Sequence, residues 1–172
     1  LFVSFVLLTI TACSFEPRTP ERPSTSTELF KSGTDVATIT RDEFDIPHIE
    51  AKDQKSLMAT WGYVHGMDRL WQMDFMHRLA LGMSAEVYGQ KTLKTDFFVR
   101  LIGLEQKAKK ITRSLQGTKE YELLEFYSAG VNRARAEQAS NLPHQFRAFK
   151  IEPLSWSPEA TILLAFLQGL DM

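Results

Sequence analysis

With 172 residues, 44% of them hydrophobic and 24% charged, the chain is long enough for one domain with a real core and has ordinary globular composition. A formal net charge of −1, with no basic stripe beyond the short run Lys107–Lys110, argues against nucleic acid as a partner. A single cysteine excludes an internal disulfide framework and a cysteine-based zinc site.

That cysteine closes an uncharged apolar run, LFVSFVLLTITAC, over residues 1–13. The run is too short for a stable membrane span and fits the apolar core of an export signal. The usual initial Met and basic residues are missing, so the true start is expected upstream. Ile10-Thr11-Ala12-Cys13 resembles a bacterial lipobox, which makes Cys13 the expected lipidation site and the lipid a link to the membrane. An ordinary exported protein with a cysteine in its signal is the plainer alternative. Residues 14–33 are rich in Pro, Ser, Thr and charge without periodicity, and read as a flexible tether.

The folded part is expected over 34–172. Val36–Arg41 and Ile46–Ala51 alternate, with the polar turn Asp42-Glu43-Phe44-Asp45 between them, which reads as a β-hairpin. Pro47 puts the second strand at an edge or begins it there. His48 reads as a strand residue with a backbone partner. From Asp53, a plausible N-cap, the pattern turns helical as far as Gly82, a good helix stop. Gly62 and Gly66 inside that helix each weaken it by about 1 kcal/mol, which suggests close approach of a neighbouring backbone. Further helices are expected over Ser84–Tyr88, over Leu93–Gln116 with an interruption near Gly103, and from Thr118 to about Ala139. A short helical turn should follow Asn141-Leu142-Pro143. After extended Ile151–Ser155, Ser157-Pro158 starts a last helix that is expected to run to the chain end. The fold class is mainly α with a short amino-terminal β-hairpin.

The segment WGYVHGMDRLWQMDFMHRLALG, residues 61–82, is the richest in chemically capable side chains. On a helical wheel Tyr63, Val64, Met67, Leu70, Trp71 and Phe75 form a broad apolar face. His65, Asp68 and Gln72 lie opposite, with Arg69 beside them. Asp74 and Arg78, four apart with the acid first, suit an ion pair projecting into the apolar half. His65 and Asp68, three apart, could share a metal ion or orient a general base. However, His77 lies on another face and no HExxH-type ligand set is present. The favoured reading is structural: a helix packed on several sides and held by the polar pairs His65–Asp68 and Asp74–Arg78, with no metal and no catalytic residue in this chain.

These same residues carry a resemblance. Arg41-Asp42 leading to Asp45-Ile46-Pro47-His48-Ile49 resembles a motif of the penicillin acylase family of N-terminal-nucleophile hydrolases. So do Gly62-Tyr63-Val64, Asp68-Arg69-Leu70, Gln72-Met73, Arg78, Gly82, Ala85-Glu86 and Gly89. Later, Tyr127, Ala129-Gly130-Val131-Asn132, Leu142-Pro143, Trp156 and Pro158 match in order. The resemblance covers about Val36 to Met172. Asp45 stands where the family commonly has glycine; if the position needs φ > 0, Asp tolerates it better than most residues. Met67 replaces a usual glutamine.

The resemblance implies that this chain is the amino-terminal part of an α subunit, a piece of an αββα fold. A long precursor then cuts itself, and the nucleophile becomes the first residue of β. Its own α-amine serves as base, apt because an unperturbed α-amine has a pKa of about 7.7–8.0. The implied partners are the rest of α, the β subunit and a small N-acyl substrate, with calcium in the full-length enzyme and no cofactor in this piece. No serine here can take the nucleophile's role: Ser84 and Ser157 read as helix caps and Ser14 belongs to the tether. An acyl-homoserine-lactone acylase is the alternative among enzymes, and a helical binding lipoprotein the alternative outside them.

Overall fold

The structure is a computed structural model that describes residues 26–32 and 35–170. The expected signal, Cys13 and most of the tether therefore lie outside the described residues. Three strands come first: β1 (Ser26–Ser32), β2 (Asp35–Arg41) and β3 (Pro47–Glu50). The helices are α1 (Gln54–Ala80), α2 (Ala85–Tyr88), α3 (Leu93–Ile102), α4 (Leu104–Leu115), α5 (Lys119–Glu137), α6 (His144–Phe149) and α7 (Pro158–Gly169). A 3₁₀ turn, Gly89–Thr92, joins α2 to α3.

The sheet is antiparallel in the order β1-β2-β3, with Phe30 opposite Ala37 and Ile39 opposite Ile49. The expected hairpin is thus the second half of a three-stranded sheet. β1 corrects the tether, which cannot extend over all of 14–33. The segment STELFKS lacks clean alternation, so its strand character depends on what β2 offers: ladder hydrogen bonds and a place to bury Phe30. Phe30 sits 4.8 Å from the Tyr63 ring, and the Arg133 guanidinium lies 4.4 Å above it. Pro47 opens the edge strand β3, where its missing N–H costs the ladder nothing.

The turn before β3 is organised by Asp42, whose Oδ1 accepts from the amides of Phe44 at 2.9 Å and Ile46 at 3.0 Å. Asp45 takes φ 61°, the left-handed conformation that glycine would adopt most easily. His48 takes a side-chain partner, Asp42 Oδ2 at 3.1 Å, where a backbone partner was expected.

Asp53 caps α1 by accepting from the Ser56 amide at 2.9 Å. Gly82, at φ 67°, ends it with two bonds, from its own amide to Leu79 O and from Met83 N to Arg78 O. Between those ends α1 crosses α5 backbone to backbone. A β-carbon on Gly62 would overlap the Tyr127 carbonyl, and one on Gly130 would overlap the Ala59 carbonyl. Gly66 faces the Ala134 side chain and the Val131 carbonyl, so the close approach expected of Gly62 and Gly66 is met by α5.

The sheet packs on the first half of α1 and on α5 in one cluster of Phe30, Ile39, Ala59, Tyr63, Val64 and Ala134. The second half of α1 joins α3, α4 and α7 through Ala80, Val99, Leu104, Ala108, Leu163 and Leu167. Gly103, at φ 72°, divides α3 from α4 at the expected interruption. Met67, placed on the apolar face by the wheel, is 38% exposed, because the glycine–alanine stripe takes the inward position.

Candidate functional site

The residue types singled out in 61–82 surround the middle of α1. There the helix is interrupted: Arg69 leaves helical geometry, with φ −134° and ψ 21°. Beside this kink α1, α5 and α7 enclose an open cavity of about 500 Å³. Its polar wall carries His65, Arg69, Gln72, Tyr127 and Gln168, and its apolar wall carries Met73, Met76, Leu164 and Trp156. Flexible methionines and long polar side chains suit a surface that takes up another polypeptide or an amphipathic ligand.

Within the cavity wall, His65 is held at both nitrogens. Trp61 Nε1 donates to His65 Nε2 at 2.7 Å, which makes Nε2 the acceptor of a neutral ring. The proton then sits on Nδ1 and donates to the Tyr127 hydroxyl at 2.9 Å. Burial lowers the His65 pKa and pushes the Tyr127 hydroxyl up to about 12, so both stay neutral near pH 7. The ring's basic nitrogen is occupied, and no carboxylate bonds to it.

Asp68 faces elsewhere. It accepts from Arg41 Nη2 at 2.7 Å and ties the end of β2 to α1. The expected His65–Asp68 pair is therefore corrected: the acid takes the charge-assisted bond to a guanidinium, and the imidazole spans two aromatic donors and acceptors. Neither arrangement is that of a catalytic dyad.

Asp74 and Arg78 do meet. Arg78 Nε lies 2.7 Å from Asp74 Oδ2, and both side chains are buried. The same guanidinium reaches Glu86 Oε2 at 2.6 Å and the Glu152 carbonyl at 2.7 Å. Asp74 Oδ1 accepts from the Leu154 amide at 2.6 Å. Two residues of α1 thereby hold α2 and the extended segment before α7. Each guanidinium nitrogen and each carboxylate oxygen of this pair has a hydrogen-bond partner, the condition under which burying an ion pair is tolerated.

The serines are likewise occupied. Ser84 Oγ donates to Asp96 Oδ1 at 2.6 Å, and Asp96 also takes the amides of Ser84 and Ala85. The cap of α2 is thus Asp96, from α3, and not the Ser84 side chain as expected. Ser157 caps α7 through the Ala160 amide at 3.3 Å. Among the described residues, no three His, Cys, Asp or Glu side chains come together as a metal would need.

Three contributors escaped the reading of single segments: Tyr127, Arg41 and Asn132. Asn132 clamps the Trp156 backbone in both directions, at 2.7 Å and 2.9 Å. The signal for Tyr127, Gly130 and Asn132 was their shared motif on α5; its purpose is visible only when α1 and α7 are in place.

Burial lowers the pKa of His77, as it does for His65, below the ordinary value of 6.5. The unfolded chain then binds protons on these rings at a higher pH than the folded one. Stability present above about pH 6.5 should be lost as pH falls through the lower folded values. Urea midpoints taken from about pH 7.5 down to about pH 5.5 should fall for the unaltered protein and flatten in His77→Gln. An equally steep fall in that variant would assign the dependence to other groups.

The comparisons with known proteins fit this arrangement. The family pattern described as penicillin amidase matches residues 36–172. Penicillin acylase 2 proenzyme of Pseudomonas sp. (strain SE83) is 35% identical over 134 residues, which are 78% of this chain and 17% of that protein. Penicillin G acylase of Escherichia coli is 32% identical over 124 residues, 70% of this chain and 14% of that protein. An acyl-homoserine lactone acylase, QuiP of Pseudomonas fluorescens, is 28% identical over 142 residues, 83% of this chain and 17% of that protein. Among solved structures, a thermostable penicillin G acylase from Alcaligenes faecalis shares the fold with a TM-score of 0.67 at 22% identity, covering 84% of this chain and 72% of that one. The chain spans only 14–17% of the length of these curated relatives. With its motifs in register over 36–172 and the matching fold built around them, the chain belongs to the penicillin amidase family and corresponds to its amino-terminal part.

Proposed function

We propose that this chain is the front part of the α subunit of an exported amide hydrolase. The whole protein removes an acyl group from penicillin-like or other N-acyl substrates, using a nucleophile at the amino terminus of a downstream β subunit. The family membership carries this reading, together with the way the chain spends its own reactive groups. His65, Ser84 and Ser157 are each committed to a local hydrogen bond, and Asp68, Asp74 and Asp96 to holding elements together. The chain accounts for 72% of the solved neighbour chain but 17% of the proenzyme. That contrast is expected where a long polypeptide is divided into subunits.

In this reading the cavity beside Arg69 is the seat for the rest of the precursor, with Met73 and Met76 packing against it and Arg69 and Gln168 bonding to it. Calcium is part of this proposal for the full-length enzyme alone. Export to the periplasm and lipidation at Cys13 are part of the same proposal. Because acyl-homoserine lactone acylases are also among the relatives, a long-chain N-acyl homoserine lactone is the second substrate class. Full-length protein should be assayed on phenylacetyl, glutaryl and long-chain N-acyl substrates. Release of the acid from one class, with a processed precursor, is expected. An intact precursor that cleaves no amide would overturn the proposal.

A further inference from the structure

The most exposed apolar surface among the described residues does not lie at the cavity. It is the outer side of α3, where Leu93, Phe97, Phe98 and Leu101 are 53%, 70%, 57% and 73% exposed. At 100° per residue these four fall in one arc, with Lys94 inside it, opposite the buried Asp96 and Val99. The helix is fixed in that orientation. Asp96 holds the amides of Ser84 and Ala85, Arg100 donates to the Gly82 carbonyl at 2.9 Å, and Val99 packs in the core.

We propose that this face is a docking surface for a bilayer rich in anionic phospholipid. Residues 89–104 contain four charges, Lys91, Lys94, Asp96 and Arg100. The one acid of that stretch is buried and spent on capping, and Glu86, the exposed acid that shares a groove with Leu93 and Phe97, is neutralised by Arg78 at 2.6 Å, so the charge that α3 itself exposes is positive. Phenylalanine and leucine flanked by lysine is the chemistry of a helix lying in the interfacial plane, its apolar side chains among the acyl chains and its ammonium groups at the phosphates. Among the described residues no helix is long and apolar enough to cross a membrane, so the contact is superficial. A second copy docked face to face about a two-fold axis would bring Lys94 near its own equivalent, which like-charge repulsion opposes.

The test uses full-length protein carrying Cys13→Ser, so that no lipid on the chain contributes. It is sedimented with vesicles of phosphatidylethanolamine and phosphatidylglycerol, and with neutral phosphatidylcholine vesicles. The protein should partition onto the anionic vesicles and be released by salt. The double variant Phe97→Ser/Leu101→Ser should lower partitioning by at least about tenfold. Lys94→Glu, a change on the exposed surface that leaves the fold intact, should lower it by about fivefold or more. No vesicle binding, or binding that both variants keep, overturns the proposal. If the double variant instead breaks an oligomer, the face belongs to a second copy. If it instead blocks precursor processing, the face belongs to the rest of the polypeptide.

Discussion

Replacing Arg78 with methionine should destabilise the fold by about 3–5 kcal/mol, the cost of leaving a buried carboxylate without its partner. Asp74 would keep the Leu154 amide but lose the guanidinium at 2.7 Å, while Glu86 and the Glu152 carbonyl would lose theirs too. Asp74→Leu should cost less, because the guanidinium keeps Glu86 and the Glu152 carbonyl while the Leu154 amide loses its acceptor. The double variant Asp74→Leu/Arg78→Met should recover a large part of the loss, since neither charge then remains uncompensated. Denaturation midpoints of the two single variants and the double variant decide the matter. If the losses simply add, the pair is not coupled as its geometry requires. Amide exchange at Leu154 should also quicken in each single variant, because this pair is what holds the extended segment to α1.

The second large effect belongs to the crossing of α1 and α5. Gly62→Ala and Gly130→Ala should each cost about 3 kcal/mol or more, at or beyond the upper end of ordinary overpacking. The atoms in the way are backbone carbonyls, Tyr127 O and Ala59 O, which no rotamer change can move. The helices must separate, and that separation would also stretch the His65–Tyr127 bond and loosen the sheet side of the core. Gly169→Ala supplies the contrast. Among the described residues nothing lies within 4 Å of a β-carbon there, so it should be neutral or stabilise by up to about 1 kcal/mol through helix propensity. Thermal melts of the three variants separate a steric effect from a general intolerance of alanine.

Periodicity and local punctuation made most of the helical layer legible. Asp53, Gly82, Gly103, Thr118 and Ser157-Pro158 each mark a boundary through chemistry confined to a few residues, and each stands at one in the structure. Asp74 and Arg78 were legible because a four-residue spacing suffices to bring them together. β1 was not, since Ser26–Ser32 acquires its strand character from β2 and from the pocket for Phe30. The partners of Asp68 and Ser84 were misjudged for a related reason. Arg41 is 27 residues from Asp68 and Asp96 is 12 from Ser84, so local spacing favoured the nearer groups. The kink at Arg69 has no glycine or proline to announce it, and the cavity beside it exists only once α5 and α7 are placed.

In the proposed function this chain positions and supports, while bond cleavage belongs to polypeptide downstream. The most direct measurement is to treat the processed full-length protein with a sulfonyl fluoride that esterifies activated hydroxyls and to locate the adduct by mass spectrometry. Loss of amide hydrolysis is expected together with a single adduct on the first residue of the released β subunit. An adduct on any side chain within residues 26–170, in step with the loss of activity, would contradict it.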